Sequence, residues 1–285
     1  MGSQRRPYLL RPPKTNQLAD IMALDLERDG TPAGAPQVVA SGLGIVEDPR
    51  RSPTLASLSV AMSGALAFIQ TQISSNLARH SNPCRHHERD GRTTTMGTAQ
   101  YASPSLSPDG TRLAVFKLTS RGAILGVTGA MGGPFQERGR VTDPGDLAWS
   151  PSGRAIAFSA TWPDGTSGIG VYRFDSGQIR RFAAGKVGYY LDWLGERVVF
   201  QGPGSHDLLI VDPATDQAVT LARGDSATLV FHPKSAPAGD RVAFFVNRAP
   251  RNVGVWIRRV ADTTWSLVLA GSVKPIRWQA SGDTI

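Results

Sequence analysis

Reactive side chains are densest in one stretch of the chain, where His80, Cys84, His86 and His87 fall close together. Imidazole and thiolate are the ligands that zinc prefers. Their spacing is irregular, however, and matches no paired Cys-x-x-Cys or His-x-x-x-His pattern. Two readings follow, a weak metal site and a solvated loop, and the irregular spacing favours the loop. No other cofactor is suggested. Asp109, Asp240 and Asp283 could act as acids or bases, and Ser59, Ser107 and Ser150 could act as nucleophiles. Each group recurs at one position of a repeated pattern. A nucleophile is needed once, so recurrence points to structure. Trp149, Trp193 and Trp278 recur in the same way and read as core, not as a ligand cage. His232, before Pro233, also reads as structural. There is no Gly-x-Ser-x-Gly elbow, no Gly-rich phosphate loop and no kinase His-Arg-Asp triplet.

The repeat is clearest in Leu106-Ser107-Pro108-Asp109-Gly110-Thr111-Arg112-Leu113-Ala114-Val115-Phe116 and in Trp149-Ser150-Pro151-Ser152-Gly153-Arg154-Ala155-Ile156-Ala157-Phe158. Each reads as strand, tight turn, strand. Looser copies are Val60 to Phe68, Trp193-Leu194-Gly195 with a shortened turn, Phe231-His232-Pro233 to Gly239 with a lengthened turn, and Trp278 to Gly282. The turn glycines Gly64, Gly110, Gly153, Gly195, Gly239 and Gly282 stand 46, 43, 42, 44 and 43 residues apart. Glycine accepts the positive φ that a tight hairpin can require. Pro108 and Pro151 preset φ early in the turn, and Asp109 can bond the turn backbone. The apolar runs after each turn fit strands buried on both faces. Further hairpins between the anchors bring each unit to about four strands, and a period in the low forties is that of a propeller blade.

These elements predict an all-β chain, a six-bladed β-propeller of four-stranded antiparallel blades. Residues 1–17 are expected to be irregular and 18–285 to form the propeller. Blades are expected near 56–100, 103–143, 146–184, 188–222 and 227–270, with a shared blade built from 274–285 and 19–42. The shared blade would close the fold by joining the two ends; truncation of a longer protein is the rival expectation. The chain has 285 residues, 40% of them hydrophobic, with 31 Gly and 20 Pro, a composition rich in turns. The net charge of +8 comes from dispersed arginines with no basic run among aromatics, which argues against nucleic acid. The single cysteine, Cys84, excludes an intrachain disulfide. Met1 to Leu10 lacks an apolar signal core. Leu55 to Ile73 is interrupted by Ser, Gln and Thr, so no membrane span is expected.

The segment Leu106 to Val115 resembles the WD40-like PD40 repeat of TolB-type six-bladed propellers, and Trp149 to Gly153 departs from it by Ser152 in place of Asp. The stretch from Ile21-Met22-Ala23-Leu24-Asp25 through Leu58-Ser59-Val60 to Gly64-Ala65-Leu66-Ala67-Phe68, with Glu88-Arg89-Asp90-Gly91-Arg92 beyond it, is similar to the propeller that follows bacterial eukaryote-like Ser/Thr kinase domains. The resemblance spans about Leu18 to Ile285. It implies a bacterial, periplasmic or otherwise extracytoplasmic scaffold that binds a protein or peptide at one mouth of the channel, is monomeric and has no catalytic residues. Two alternatives are a sensor or gating propeller of a kinase or prolyl-oligopeptidase-type peptidase, and a free-standing propeller hydrolase or lactonase. The lining would separate them: a basic, apolar mouth favours binding, and converging carboxylates favour hydrolysis.

Overall fold

A computed structural model describes residues 8–11, 19–23, 34–43, 58–60, 66–71, 75–80, 93–95, 101–183, 185, 190–224, 228–247 and 253–278. Among these residues the chain is almost wholly β, in six four-stranded antiparallel sheets. In chain order the strands are β1 (Tyr8–Arg11), β2 (Ala19–Ala23), β3 (Gln37–Leu43), β4 (Leu58–Val60), β5 (Leu66–Thr71), β6 (Ser75–His80) and β7 (Thr93–Thr95). There follow β8 (Tyr101–Leu106), β9 (Arg112–Thr119), β10 (Gly122–Gly129), β11 (Gln136–Val141), β12 (Asp143–Trp149), β13 (Ala155–Thr161), β14 (Ser167–Arg173) and β15 (Ile179–Phe182). The last are β16 (Leu191–Leu194), β17 (Arg197–Gln201), β18 (Asp207–Asp212), β19 (Gln217–Arg223), β20 (Leu229–Ser235), β21 (Arg241–Asn247), β22 (Gly254–Arg259), β23 (Ser266–Ala270) and β24 (Lys274–Arg277).

Five sheets take four consecutive strands each, beginning at β4, β8, β12, β16 and β20. The sixth has the order β24-β1-β2-β3, with Leu9 opposite Pro275 and Leu10 opposite Lys274, so strands from both ends of the sequence share it. Tyr8–Arg11, expected to be irregular, thus form a strand; Tyr-Leu-Leu is an apolar run with partners on both sides.

The chain divides into two compact units. A middle unit, residues 43–181, holds the sheets that begin at β4, β8 and β12. A terminal unit, residues 1–42 and 182–285, holds those that begin at β16 and β20 together with the shared sheet. In each, the first strands of successive sheets pack side by side: β8 with β12, β16 with β20, and β20 with β24. The second strands are the core. β13, β17 and β21 are buried along most of their length and β9 along half of its own, and Phe116, Phe158, Phe200 and Phe244 are fully buried. Each such side chain contributes about 1.5–3 kcal/mol by leaving water. Gly170 makes room for Phe158 on the paired strand: a Cβ there would lie 2.3 Å from the ring.

The turns set the register. Gly110 donates its N–H to Ser107 O at 2.8 Å, and Ser107 donates to Arg112 O at 2.9 Å. Gly153 and Ser150 repeat this pair with Ser150 and Ala155. The glycines stand at φ of 73° and 68°, in the left-handed region that a Cβ disfavours. In the fifth copy the same pair runs from Gly239 to Ala236 O and from Ala236 to Arg241 O. This corrects the lengthened turn expected from Phe231-His232-Pro233. The turn is Ala236-Pro237-Ala238-Gly239, of ordinary length, and Ser235 takes the place of Leu106 and Trp149.

His232 and Pro233 instead form a bulge within β20, between the pairs Phe231–Phe245 and Lys234–Ala243. β8 carries the same bulge at Ser103-Pro104, between Ala102–Phe116 and Ser105–Ala114. Ser103 and His232 adopt φ of 52° and 50°. A bulge puts two residues opposite one and turns the strand locally.

Candidate functional site

With the register fixed, equivalent positions can be compared from sheet to sheet. The residue before each turn faces back to the preceding sheet. Trp149 donates its Nε1–H to Ser105 O at 2.8 Å, and Trp278 donates to Lys234 O at 2.7 Å. The guanidinium of Arg112 lies 4.5 Å from the Trp149 ring centroid and that of Arg241 lies 5.1 Å from Trp278. Arg112 also donates to Gly153 O at 2.8 Å, and Trp149 stacks on Phe174. Together these form a tie between sheets, present in both units. Trp193, at the same position, is buried.

One residue earlier in the sequence the two units part company. The middle unit has Ser105 and Ala148, both buried and uncharged. The terminal unit has Asp192, Lys234 and Arg277, all half-buried. Asp192 Oδ2 accepts the N–H of Ser235 at 2.8 Å, which ties β16 to β20. Burial lowers the pKa of the Arg277 guanidinium, and the Asp192 carboxylate opposes that shift.

The bulge position differs as well. Ser103 Oγ donates to Gly145 O at 2.6 Å, tying β8 to β12. His232 instead turns its ring to Tyr190, with centroids 3.9 Å apart. Tyr190 meets Phe231 edge-on at 6.2 Å, Phe231 stacks against Phe245 at 6.3 Å, and Lys274 Nζ lies 6.0 Å from the Phe245 ring. Burial, reinforced by the charges of Lys274 and Lys234, holds the His232 pKa well below the ordinary imidazole value. The imidazole is therefore neutral at pH 7. The result is a partly buried group of Tyr190, Phe231 and His232, with Lys234 and Lys274 near enough to act on the imidazole, and with Arg277 near enough to Asp192 to feel its charge. A rigid strand framework holds these groups, which suits recognition of a ligand with both charge and apolar surface.

Of the residues singled out by sequence, His232 belongs to this group, and the turn residues serve their turns. His80 ends β6, its backbone opposite Leu66 and Thr93, while Cys84, His86 and His87 lie outside the described residues. Among the described residues no group of three or more His, Cys, Asp and Glu could hold a metal. Gly64 and Gly282 also lie outside, as does Asp283; Gly195 and Gly239 have φ of 62° and 70°. Pro108 and Pro151 sit in their turns, half-buried and exposed respectively. Asp109 Oδ1 accepts from the Ser107 hydroxyl at 2.5 Å and from the Thr111 N–H at 3.0 Å. These bonds, the serine's above all, hold its carboxyl at about 2. The Ser107 and Ser150 hydroxyls in turn accept backbone N–H groups from across their turns, at 2.9 Å from Arg112 and 3.0 Å from Ala155. Each is occupied by the turn. Sequence reading passed over Asp192, Lys234 and Arg277. The signal was present in the residues before Trp149, Trp193 and Trp278, namely Ala148, Asp192 and Arg277. Among the described residues no helix is long and apolar enough to cross a membrane.

No protein-family profile and no curated protein sequence matches the chain. Solved structures do match it. A protein assigned as TolB from Agrobacterium tumefaciens superposes with a TM-score of 0.71 at 17% identity, over 99% of this chain and 97% of that one. TolB from Acinetobacter baumannii gives 0.67 at 17% identity, over 96% of this chain and 67% of that one. A prolyl endopeptidase gives 0.57 at 13% identity, over 94% of this chain and 43% of that one. The fold is a TolB-like β-propeller.

Proposed function

We propose that this chain is a non-catalytic propeller module of six blades that binds a protein or peptide through its inner strands. The observation that carries this reading is the break in symmetry within the repeat. Where the middle unit has Ser105 and Ala148, the terminal unit has Asp192, Lys234 and Arg277, flanked by Tyr190, Phe231 and His232. The fold does not require charge at this position, since the middle unit does without it. Burying charged groups costs stability unless they are paired or used. A basic and aromatic lining supports recognition over the carboxylate cluster that a hydrolase or lactonase would call for. The likeness to a prolyl endopeptidase supports a second reading, in which the same module gates a catalytic domain; the kinase-linked version rests on the sequence resemblance alone.

The test is selection of a displayed random-peptide library on the immobilised chain. The expected result is enrichment of peptides that bind in the micromolar range and lose about tenfold in affinity on Tyr190→Ala or Phe231→Ala, at about 1.4 kcal/mol per decade. No enrichment, or binding indifferent to both substitutions, would sink the proposal.

A further inference from the structure

The outermost strands of the sheets pair on one side only among the described residues, and the two units guard them differently. In the middle unit β7 has three residues, β15 has four with Arg180 and Arg181 among them, and β11 carries Glu137, Arg138 and Arg140. Short length and charge are what keep an open sheet edge from pairing with another strand. In the terminal unit β3 and β23 have no charged residue, and β19 has none from Gln217 to Ala222. Four large apolar side chains are exposed among the described residues, and three of them, Val38, Val219 and Leu267, stand on these three strands. Val219 is the most open of the three, at 58%. The register shows what it belongs to. The residue before Phe116, Phe200 and Phe244 starts a cross-strand row in each sheet: Val115–Gly126–Glu137, Val199–Ile210–Val219 and Ala243–Ile257–Ser266. The first ends on a carboxylate and the third on a hydroxyl. The second is apolar throughout, buried at Val199 and Ile210 and open at Val219. An apolar row left open at its outer end is completed by one more strand.

We propose that β19 is a self-association edge, on which a second copy of this chain lays its own β19 antiparallel about a two-fold axis at Val219. β19 is regular from Gln217 to Thr220 and bulges at Leu221. The axis sets Val219 against its counterpart and Ala218 against Thr220, within the regular stretch, and the apolar row then runs unbroken through both copies. The ends favour a copy over an unrelated strand. Asp216 is exposed just before β19, its Oδ1 held by the Ala183 N–H at 3.0 Å. Arg223 closes the strand with its side chain 76% exposed and only a loose contact, 3.9 Å, to Asp207. Antiparallel pairing brings the acid of one copy towards the arginine of the other at both ends, so the edge is its own charge complement. β19 is three strands out from β16, and the proposal stands apart from peptide binding by the inner strands.

Sedimentation velocity over a wide range of protein concentration would read the association. A single paired edge is at the low end of interface sizes, so dimers are expected with a dissociation constant of about 10–100 μM. Val219→Lys sets ammonium against ammonium across the axis and should weaken the dimer by about tenfold or more. Leu267→Lys, the same change on β23, should leave it within about twofold, and thermal melts check that both variants fold. A second readout avoids the added charge. Cys84→Ser with Val219→Cys places two thiols across the axis, where the Cα atoms of an antiparallel pair lie about 4.5–5.5 Å apart, so mild oxidation should give a disulfide-linked dimer. Cys84→Ser with Leu267→Cys should not. A chain that stays monomeric at every concentration, a dimer indifferent to Val219→Lys, or equal cross-linking from both cysteine variants would overturn the proposal. So would a monomer whose library-selected peptides are lost on Val219→Lys, since the edge would then accept a strand from a different protein.

Discussion

The middle and terminal units carry the same structural devices. In both, a turn glycine sits at positive φ, a bulged first strand begins the sheet, and an indole hydrogen-bonds to the preceding sheet while an arginine covers its ring. Two of their differences stand out. Ser105 and Ala148 in one unit answer to Asp192, Lys234 and Arg277 in the other, and Ser103 answers to His232. Shared features are those the repeat needs in order to fold. Features confined to one unit are not required by the repeat, although Asp192 and Ser103 each also tie neighbouring sheets, and in the terminal unit they gather on neighbouring strands. Function is therefore sought where the repeat departs from itself.

The strongest way to break this comparison is to move a charge across it. Ala148→Asp places a carboxylate at the middle unit's equivalent of Asp192, where the side chain is buried. It is expected to cost about 3 kcal/mol or more, read as a shift of the urea midpoint. A loss below about 1 kcal/mol would mean that the position accepts charge in either unit, and the terminal unit's charges would lose their significance.

His232→Ser gives the terminal unit the residue of the middle unit's bulge. The His232 pKa is depressed in the folded state, so the unfolded chain takes up more protons below about 6.5. That contribution is present above pH 6.5 and lost as pH falls. The wild type should therefore lose more stability than His232→Ser between pH 7 and pH 5 in urea titrations. Parallel curves would show that the imidazole does not titrate with unfolding.

Asp109→Ala makes the Ser107–Gly110 turn resemble Ala236–Gly239, which holds Ala238 at that position and lacks the serine–aspartate bond. The expected loss is about 0.5–1 kcal/mol at pH 7. With the carboxyl at about 2 when folded against 3.8 ordinarily, its contribution holds above pH 3.8 and fades as pH falls towards 2. The variant should lose less stability than the wild type across that window in thermal melts, the remainder coming from groups such as Asp164, which is also held at about 2; an unchanged slope would assign the acid sensitivity elsewhere.

The fold was legible in the sequence because its strongest constraints are local. Gly110, Gly153, Gly195 and Gly239 are demanded by backbone geometry, and the apolar runs after them by burial on both faces. The fifth anchor misled. Phe231-His232-Pro233 imitates the aromatic, polar, proline order of Trp149-Ser150-Pro151, yet its residues form a bulge, and a bulge shifts register without changing composition. The site depended on that register. Until Ser235 replaced Phe231 as the partner of Trp149, Lys234 could not be seen to share a position with Asp192 and Arg277. The His80, Cys84, His86 and His87 cluster was conspicuous by residue type alone; His80 ends β6, and the other three lie outside the described residues.

The ties between sheets have one further consequence. The Trp149 and Trp278 indoles both reach a carbonyl 44 residues back, so the two loops they close on folding are alike in length and in entropic cost. Neither loop is entropically favoured over the other, and each tie involves only adjacent sheets. Such a chain can start to assemble at any neighbouring pair and grow outward in either direction, and a change at one junction is felt by two sheets and no more. Inherited substitutions could then accumulate at a single junction while the rest of the molecule kept its stability, the circumstance in which one stretch of a uniform array acquires an occupation of its own.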